Sequence, residues 1–239
     1  MATHALIYAE LIIKGKKHGI HPFIIEIRDK DRNPLPGIEV GDIGPKIGFH
    51  SKDNGYLFIK NISIPRSNML QRFVEVTRDG ELKITGNPNV GYATMMEIRK
   101  IISYGCIKLY SCAITIATRY SMFRKQFQNS AKEEIKIMDY QLQQEKIIDR
   151  VAEYFAITMT GNNIKNLCEK NLHEVTQNNN YSLMQETHIC LCLGKTFSSE
   201  IVYNGMEICR KACGGHGFSQ YSGFPALINE YAAHMTHEG

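Results

Sequence analysis

A chain of 239 residues is long enough for one large domain or two modest ones, and its 43% hydrophobic content is that of an ordinary globular protein. The formal net charge of +4 is mild and spread along the chain, so there is no basic tail to argue for nucleic acid, and no long uncharged apolar run argues for a membrane span. Seven cysteines, an odd number without a CxxC pair, fall mostly inside apolar-periodic stretches and read as reduced buried thiols of an intracellular protein. The Met1 region lacks the charged, apolar and small-residue zones of a secretory signal.

Residues 4–13 fit a strand or a buried helix equally well. Pro22–Ile27 is β-branched and partly alternating, which predicts a strand, and Asn33-Pro-Leu-Pro-Gly37 punctuates it with a turn. Short strands fit Ile38–Ile43, Gly55–Ile62 and Phe73–Val76, with turns at Asp53-Asn54-Gly55 and Asp79-Gly80. Residues 1–88 therefore read as an all-β domain. His4, His18, His21 and His50 are scattered through it without ligand spacing, so no metal site is expected.

After Asn87-Pro-Asn89 the period changes. Met95, Ile98, Ile102, Cys106, Leu109, Ala113 and Ile116 recur at steps of three and four and predict a long helix. Gly105 inside it costs helix propensity, which suggests close packing on a neighbour. A second helix is expected over 134–160, with Ile148, Val151 and Phe155 on its apolar face. A third is expected over 182–212, with Leu183, Leu193, Phe197, Ile201 and Ile208 in step, and a short fourth from Pro225 to about Met235. Three long helices and a short one imply an antiparallel bundle over 89–239.

The third helix ends in Cys209-Arg-Lys-Ala-Cys-Gly-Gly-His-Gly-Phe218. Gly214, Gly215 and Gly217 are either a helix C-cap or a bare backbone that lets a phosphate or flat ring come close. A carboxylate, Glu238, follows beyond the short helix. No GxGxxG follows a strand, so a Rossmann dinucleotide site is not expected.

Ala212–Ser219 with Ser222-Gly-Phe-Pro225 resembles the flavin-contacting loop of peroxisomal acyl-CoA oxidases. Asp42–Gly48, Asp53–Leu57, Ile64–Leu70 and Arg119–Gln126 resemble the same family, in order. The resemblance implies an α+β fold of the acyl-CoA dehydrogenase type: a partial β-barrel or sandwich domain, corresponding to the later part of the family's middle β-domain, followed by an antiparallel four-helix bundle. It further implies that this chain is an internal segment of such an enzyme, with FAD as cofactor, acyl-CoA and O2 as substrates, a homodimer, and a peroxisomal location, although no Ser-Lys-Leu signal stands at Gly239.

The resemblance also assigns residues. Glu238 takes the place of the catalytic base that removes a proton α to the thioester carbonyl. The family has Phe or Tyr before this glutamate where this chain has His237, whose cationic form would weaken the base. Arg124 and Gln126 are expected at the flavin pyrophosphate, where a guanidinium matches phosphate oxygens bidentately. Gly214, Gly215 and Gly217 are expected near the adenosine half, Gln141 and Gln144 along the flavin and the dimer contact, and Tyr92 and Arg99 close to the acyl-CoA channel. Two rival readings are an acyl-CoA dehydrogenase that passes electrons to a flavoprotein and a truncated non-catalytic subunit.

Overall fold

The computed structural model describes residues 1–86 and 93–239, with side chains of the first long helix described from Met96 onward; Tyr92 and the side chain of Met95 lie outside the described residues. The chain divides into two units. One comprises residues 1–45 and 52–92, and the other residues 46–51 and 93–239.

The first unit is built from paired strands. β1 (His4–Ile13) and β2 (Lys16–Glu26) form an antiparallel hairpin in which Ile13 pairs with Lys16. Both residues of the two-residue turn have positive φ, 49° at Lys14 and 79° at Gly15. This is the primed turn whose twist matches that of paired strands. The ambiguity over residues 4–13 is thus resolved as strand, because side chains alternate along β1 between half-buried and exposed. β3 (Ile38–Asp42) pairs with β4 (Gly55–Ile59), and β5 (Val74–Val76) with β6 (Leu82–Ile84). Ile25, Ile27 and Ile38 form the buried centre, with Ala5, Ile7, Leu35 and Leu57 packed on it. Among the described residues the pairing stops at two-stranded ladders, and one isolated bridge joins Phe23 to Met69.

The second unit carries the long helices: α1 (Ala93–Phe123), α2 (Gln141–Asn178) and α3 (Met184–Ala212), then α4 (Gly214–Phe218) and α5 (Phe224–Ala232). Between α1 and α2 lies a hairpin of β7 (Lys125–Gln128) and β8 (Glu134–Lys136). The expected helix over 134–160 therefore begins later and runs much further. The segment from Glu134 reverses against β7 before Tyr140 starts α2, and no proline interrupts the sequence up to Asn179, whose φ of 49° ends the helix in the left-handed region.

The buried faces differ from those expected. On α1 the innermost residues are Ile102, Ser103, Cys106, Tyr110, Ala113, Ala117 and Ser121, whereas Ile98 is exposed. On α2, Ile148 and Phe155 face outward while Ile147, Ile157, Gly161, Ile164 and Cys168 face inward. On α3, Leu193 and Phe197 are 67% and 69% exposed, and the inner face is Leu191, Gly194, Lys195, Ser198, Val202, Gly205 and Met206. The physical reason is fit. Glycine and serine on the inner faces make room for particular large side chains, as Gly205 does for Tyr110 and Gly194 for Ile164, so the inward stripe is chosen by fit to the neighbouring helix and not by hydrophobicity alone.

Tyr110 shows how tight this is. Its ring is wholly buried and fills the space beside Gly205, where an added Cβ would stand 2.2 Å from the phenolic oxygen. The hydroxyl donates to Glu153 Oε2 at 2.5 Å, and Arg150 holds the same carboxylate through two bonds of 2.7 Å. One buried ring thus ties α1 to both neighbours. Gly161 and Gly194 admit Ile107 and Ile164 in the same way. Gly105, expected to be a contact glycine, has nothing within 4 Å of its would-be Cβ. By length and apolarity Met96–Phe123 would pass for a membrane span, but its inner stripe belongs to the core shared with α3 and α5.

All seven cysteines are free. Burial pushes the Cys209 thiol up to about 12 and those of Cys168 and Cys213 up to about 11. The folded state holds these protons more tightly than the unfolded chain, so their contribution is complete below pH 9 and is lost as pH rises toward 11–12. Denaturation midpoints should fall between about pH 8 and about pH 10.5, with a shallower fall in Cys209→Ala. The glycines provide a second check by equilibrium unfolding. Gly205→Ala should destabilise by about 1–3 kcal/mol through overpacking, and Gly105→Ala should stabilise by about 0.5–1 kcal/mol through helix propensity.

Candidate functional site

Two regions of the helical unit gather the residues singled out by sequence. The first is a corner where α1 and α3 end and α2 begins. Arg124 follows α1 directly; its N–H bonds Tyr120 O, and its carbonyl accepts from Ile137 N at 2.9 Å. This geometry fixes the start of β7. Arg124 Nη2 donates to Gln126 Oε1 at 2.9 Å, and Tyr140 Oη donates to the Gln126 carbonyl at 2.9 Å. Across the corner, α3 ends at Ala212 and Gly214 turns with a φ of 55°. The glycine segment, expected as a loop, continues as one helical turn, Gly214–Phe218, because only Gly214 needs the left-handed region and the rest is compatible with helix.

These pieces enclose a cavity of about 550 Å³ lined by Tyr120, Arg124, Gln126, Lys211, Gly215 and His216, among others. His216 Nδ1 lies 2.9 Å from the Tyr120 hydroxyl, which orients the ring. A Cβ on Gly214 or Gly215 would meet nothing within 4 Å, so the backbone is bare toward open space. Gly217 is different. It is buried, and a Cβ there would lie 2.0 Å from the Arg210 carbonyl oxygen, so it is a packing glycine and does not line the cavity. Two cationic side chains beside exposed backbone suit an anionic group of phosphate type.

The glutamines also sort themselves. Gln141 is exposed at the first residue of α2, and neither it nor Gln144 lines the cavity. The residue between them does the joining: Gln143 Nε2 donates to Ser121 Oγ at 2.9 Å and to the Ala212 carbonyl at 2.8 Å. This bond satisfies a C-terminal carbonyl of α3 that has no partner within the helix. Nothing in Gln-Leu-Gln-Gln marks the middle glutamine; the helix phase alone selects it.

The second region holds Glu238. After α5 a short 3-10 turn, Ala233–Met235, brings the chain to Glu238 and Gly239, with φ of 62° and 80°. A non-glycine residue in this region costs about 1–2 kcal/mol. Its surroundings offset that cost. Arg99 donates to the Glu238 carbonyl twice, from Nε at 3.1 Å and Nη2 at 2.8 Å, while its Nη1 reaches Cys192 Sγ at 3.3 Å. Lys195, 1% exposed, donates from Nζ to the Gly239 main-chain oxygen at 3.1 Å and the Met235 carbonyl at 3.5 Å. Burial, then Arg99, holds this ammonium below the usual lysine range, and the Glu238 carboxylate opposes them. Among the described residues the Glu238 carboxylate oxygens take no hydrogen bond and no ion pair, so the acid is held by its backbone with its side chain uncommitted.

Phe49 closes this region from the other side. Its N–H donates to Glu230 Oε2 at 2.8 Å, and its ring meets His234 and His237 edge-on at 5.5 and 5.8 Å. His234 stacks on buried Tyr231 at 5.0 Å, and burial pushes its imidazole down toward the neutral form. His237 thus sits among rings.

The structure does not bring the two regions together. Arg99 and Phe123, near opposite ends of α1, are separated by roughly 36 Å of helix at about 1.5 Å per residue. Arg99, expected beside a substrate channel, spends both Nε and Nη2 on Glu238. The glycine assignments can be separated by experiment: Gly217→Ala should lower the unfolding free energy by about 1–3 kcal/mol, whereas Gly215→Ala should leave thermal stability close to that of the parent.

Comparison with known proteins places these features. Residues 92–239 match the family model for the acyl-CoA oxidase C-alpha1 domain. Peroxisomal acyl-coenzyme A oxidase 2 of Mus musculus is 40% identical over 240 residues, covering 99% of this chain and 35% of that protein. The solved structure of Arabidopsis thaliana acyl-CoA oxidase 1 superposes with a TM-score of 0.93 at 37% identity, over 100% of this chain and 37% of that one. Caenorhabditis elegans acyl-CoA oxidase-2, solved with FAD, ascaroside-CoA and ATP, gives 0.91 at 36% identity, over 99% and 36%. The chain thus spans about a third of the length of these relatives. With the family match extending over both the corner and the Glu238 segment, the chain belongs to the acyl-CoA oxidase family.

Proposed function

We propose that this protein serves as an FAD-dependent acyl-CoA oxidase of peroxisomal fatty acid β-oxidation, converting acyl-CoA and O2 to trans-2-enoyl-CoA and H2O2. The observation that carries the reading is the uncommitted Glu238 carboxylate on a backbone fixed by Arg99 and Lys195. A base that removes a proton from Cα must be within reach of that carbon and free of a partner that would quench it. The lack of a hydrogen bond to the Glu238 carboxylate supports this role.

The corner supports the cofactor assignment. Gly214 and Gly215 leave room that a side chain would fill, and Arg124 and Lys211 supply positive charge for a pyrophosphate. When bound, FAD supplies the two-electron acceptor that oxygen regenerates. Gln126 orients Arg124, and Gln143 holds the floor of the corner; Gln141 and Gln144 remain on the α2 face proposed for the dimer contact. The reading includes the partial barrel followed by a four-helix bundle, with residues 89–239 as the flavin-binding and dimerising domain and Tyr92 near the acyl-CoA channel.

The distance between corner and base supports a homodimer. With roughly 36 Å of α1 between them, the Arg124 corner serves a flavin whose reacting ring belongs to the partner's base. The outward-facing Phe155, Met159, Leu193 and Phe197 form an apolar face of the kind that marks an interface. An oxidase rather than a dehydrogenase is favoured because the matching family model and the relatives are oxidases.

Glu238→Gln in the complete protein should retain FAD and lose at least about 10³-fold in the rate of anaerobic flavin reduction by acyl-CoA, since the amide cannot accept the proton. Reduction at the parental rate in a flavin-loaded variant would end the assignment. Peroxide formed without an added electron acceptor would distinguish oxidase from dehydrogenase.

A further inference from the structure

Lys195 touches no reacting group in the reading above, yet it is among the largest fully buried side chains of the molecule. A lysine removed from water is costly unless its three donors find acceptors. Here the acceptors are main-chain oxygens on either side of Glu238, those of Met235 and Gly239. Among the described residues it has no ion-pair partner, so it does not act as half of a structural salt bridge. Arg99 reaches the same segment from α1 and takes the intervening carbonyl, that of Glu238 itself. The two cations therefore approach the segment from two different helices, α1 and α3, and between them bind the main-chain oxygens of Met235, Glu238 and Gly239. The residue between them stands at a φ of 62°, a conformation that a glutamate does not hold unaided.

We infer that Lys195 is a positioning residue for the Glu238 base: its ammonium, bound to the main-chain oxygens of Met235 and Gly239, locks the left-handed backbone that aims the carboxylate. This rests on the reading of Glu238 as the base. The side chain needed is a long one that keeps a positive charge and several donors in a confined site; an apolar side chain of similar length fills the volume and leaves the oxygens ungripped. Misplacement of a reacting group by about 1 Å costs on the order of 10²-fold in rate. The effect should therefore appear in the proton-abstraction step and not in the binding of flavin or acyl-CoA.

The test uses the complete protein and four variants: K195M, K195R, E238Q and K195M/E238Q. The expected result is K195M with parental flavin content, a KM for acyl-CoA within about threefold of parental, and anaerobic flavin reduction slowed about 10- to 100-fold. K195R should recover most of that rate, and K195M should add nothing in the E238Q background, because the group being aimed is already gone. K195M at the parental rate, a loss confined to KM, or a full further loss on top of E238Q would each overturn the assignment while leaving Glu238 as base. An E238Q variant that keeps the parental rate would remove both readings together. Should K195M fail to accumulate as folded protein, K195Q, which keeps a donor without the charge, is judged by the same criteria.

Discussion

The close approach of α1 to α3 is the constraint on which the helical unit depends. It places the ring of Tyr110 where Gly205 has no side chain. From that ring a hydrogen bond passes to Glu153 and then to Arg150, bringing α2 into the same arrangement. The phenol is desolvated and faces a carboxylate, so it stays protonated well above the usual tyrosine range and remains a donor. A half-buried carboxylate shared by a phenol and a guanidinium is satisfied on both sides, which makes it a specific contact rather than a cost.

That approach also sets what each end of the pair can do. At one end, α1 and α3 deliver Arg99 and Lys195 to the segment carrying Glu238. At the other, they terminate together, and the orphan carbonyl of Ala212 is taken by Gln143 while Arg124 and Gly215 face a common cavity. Two rigid helices thus hold one acid-bearing segment and one anion-fitting corner far apart and in fixed relation. Such sites on helix ends are more precise than sites on free loops. Leu193 and Phe197, on the outer side of α3, lie beside an apolar cavity of about 370 Å³.

Strain and restraint meet at Glu238. The left-handed backbone there is unfavourable, and four guanidinium and ammonium contacts to main-chain oxygens hold it. The side chain is left out of this network. A group fixed through its backbone, with no hydrogen bond at its tip, is pre-organised in position.

The sequence by itself determined the order of strands followed by helices, the turn chemistry at Asp79-Gly80, the existence of the three long helices, and the family motifs that single out Glu238, Arg124 and Gly214–Gly215. These are local properties, written in period and in residue type. It did not determine which helical face turns inward. Ile148, Phe155, Leu193 and Phe197 are apolar and in phase, yet they lie outside, because which face of a helix turns inward is set by neighbours distant in sequence. Nor did it determine that Gln143 joins α2 to the end of α3, or that Lys195 and Arg99 share one segment. Each of these depends on what lies across a gap of 40 or more residues, and only the folded chain decides that.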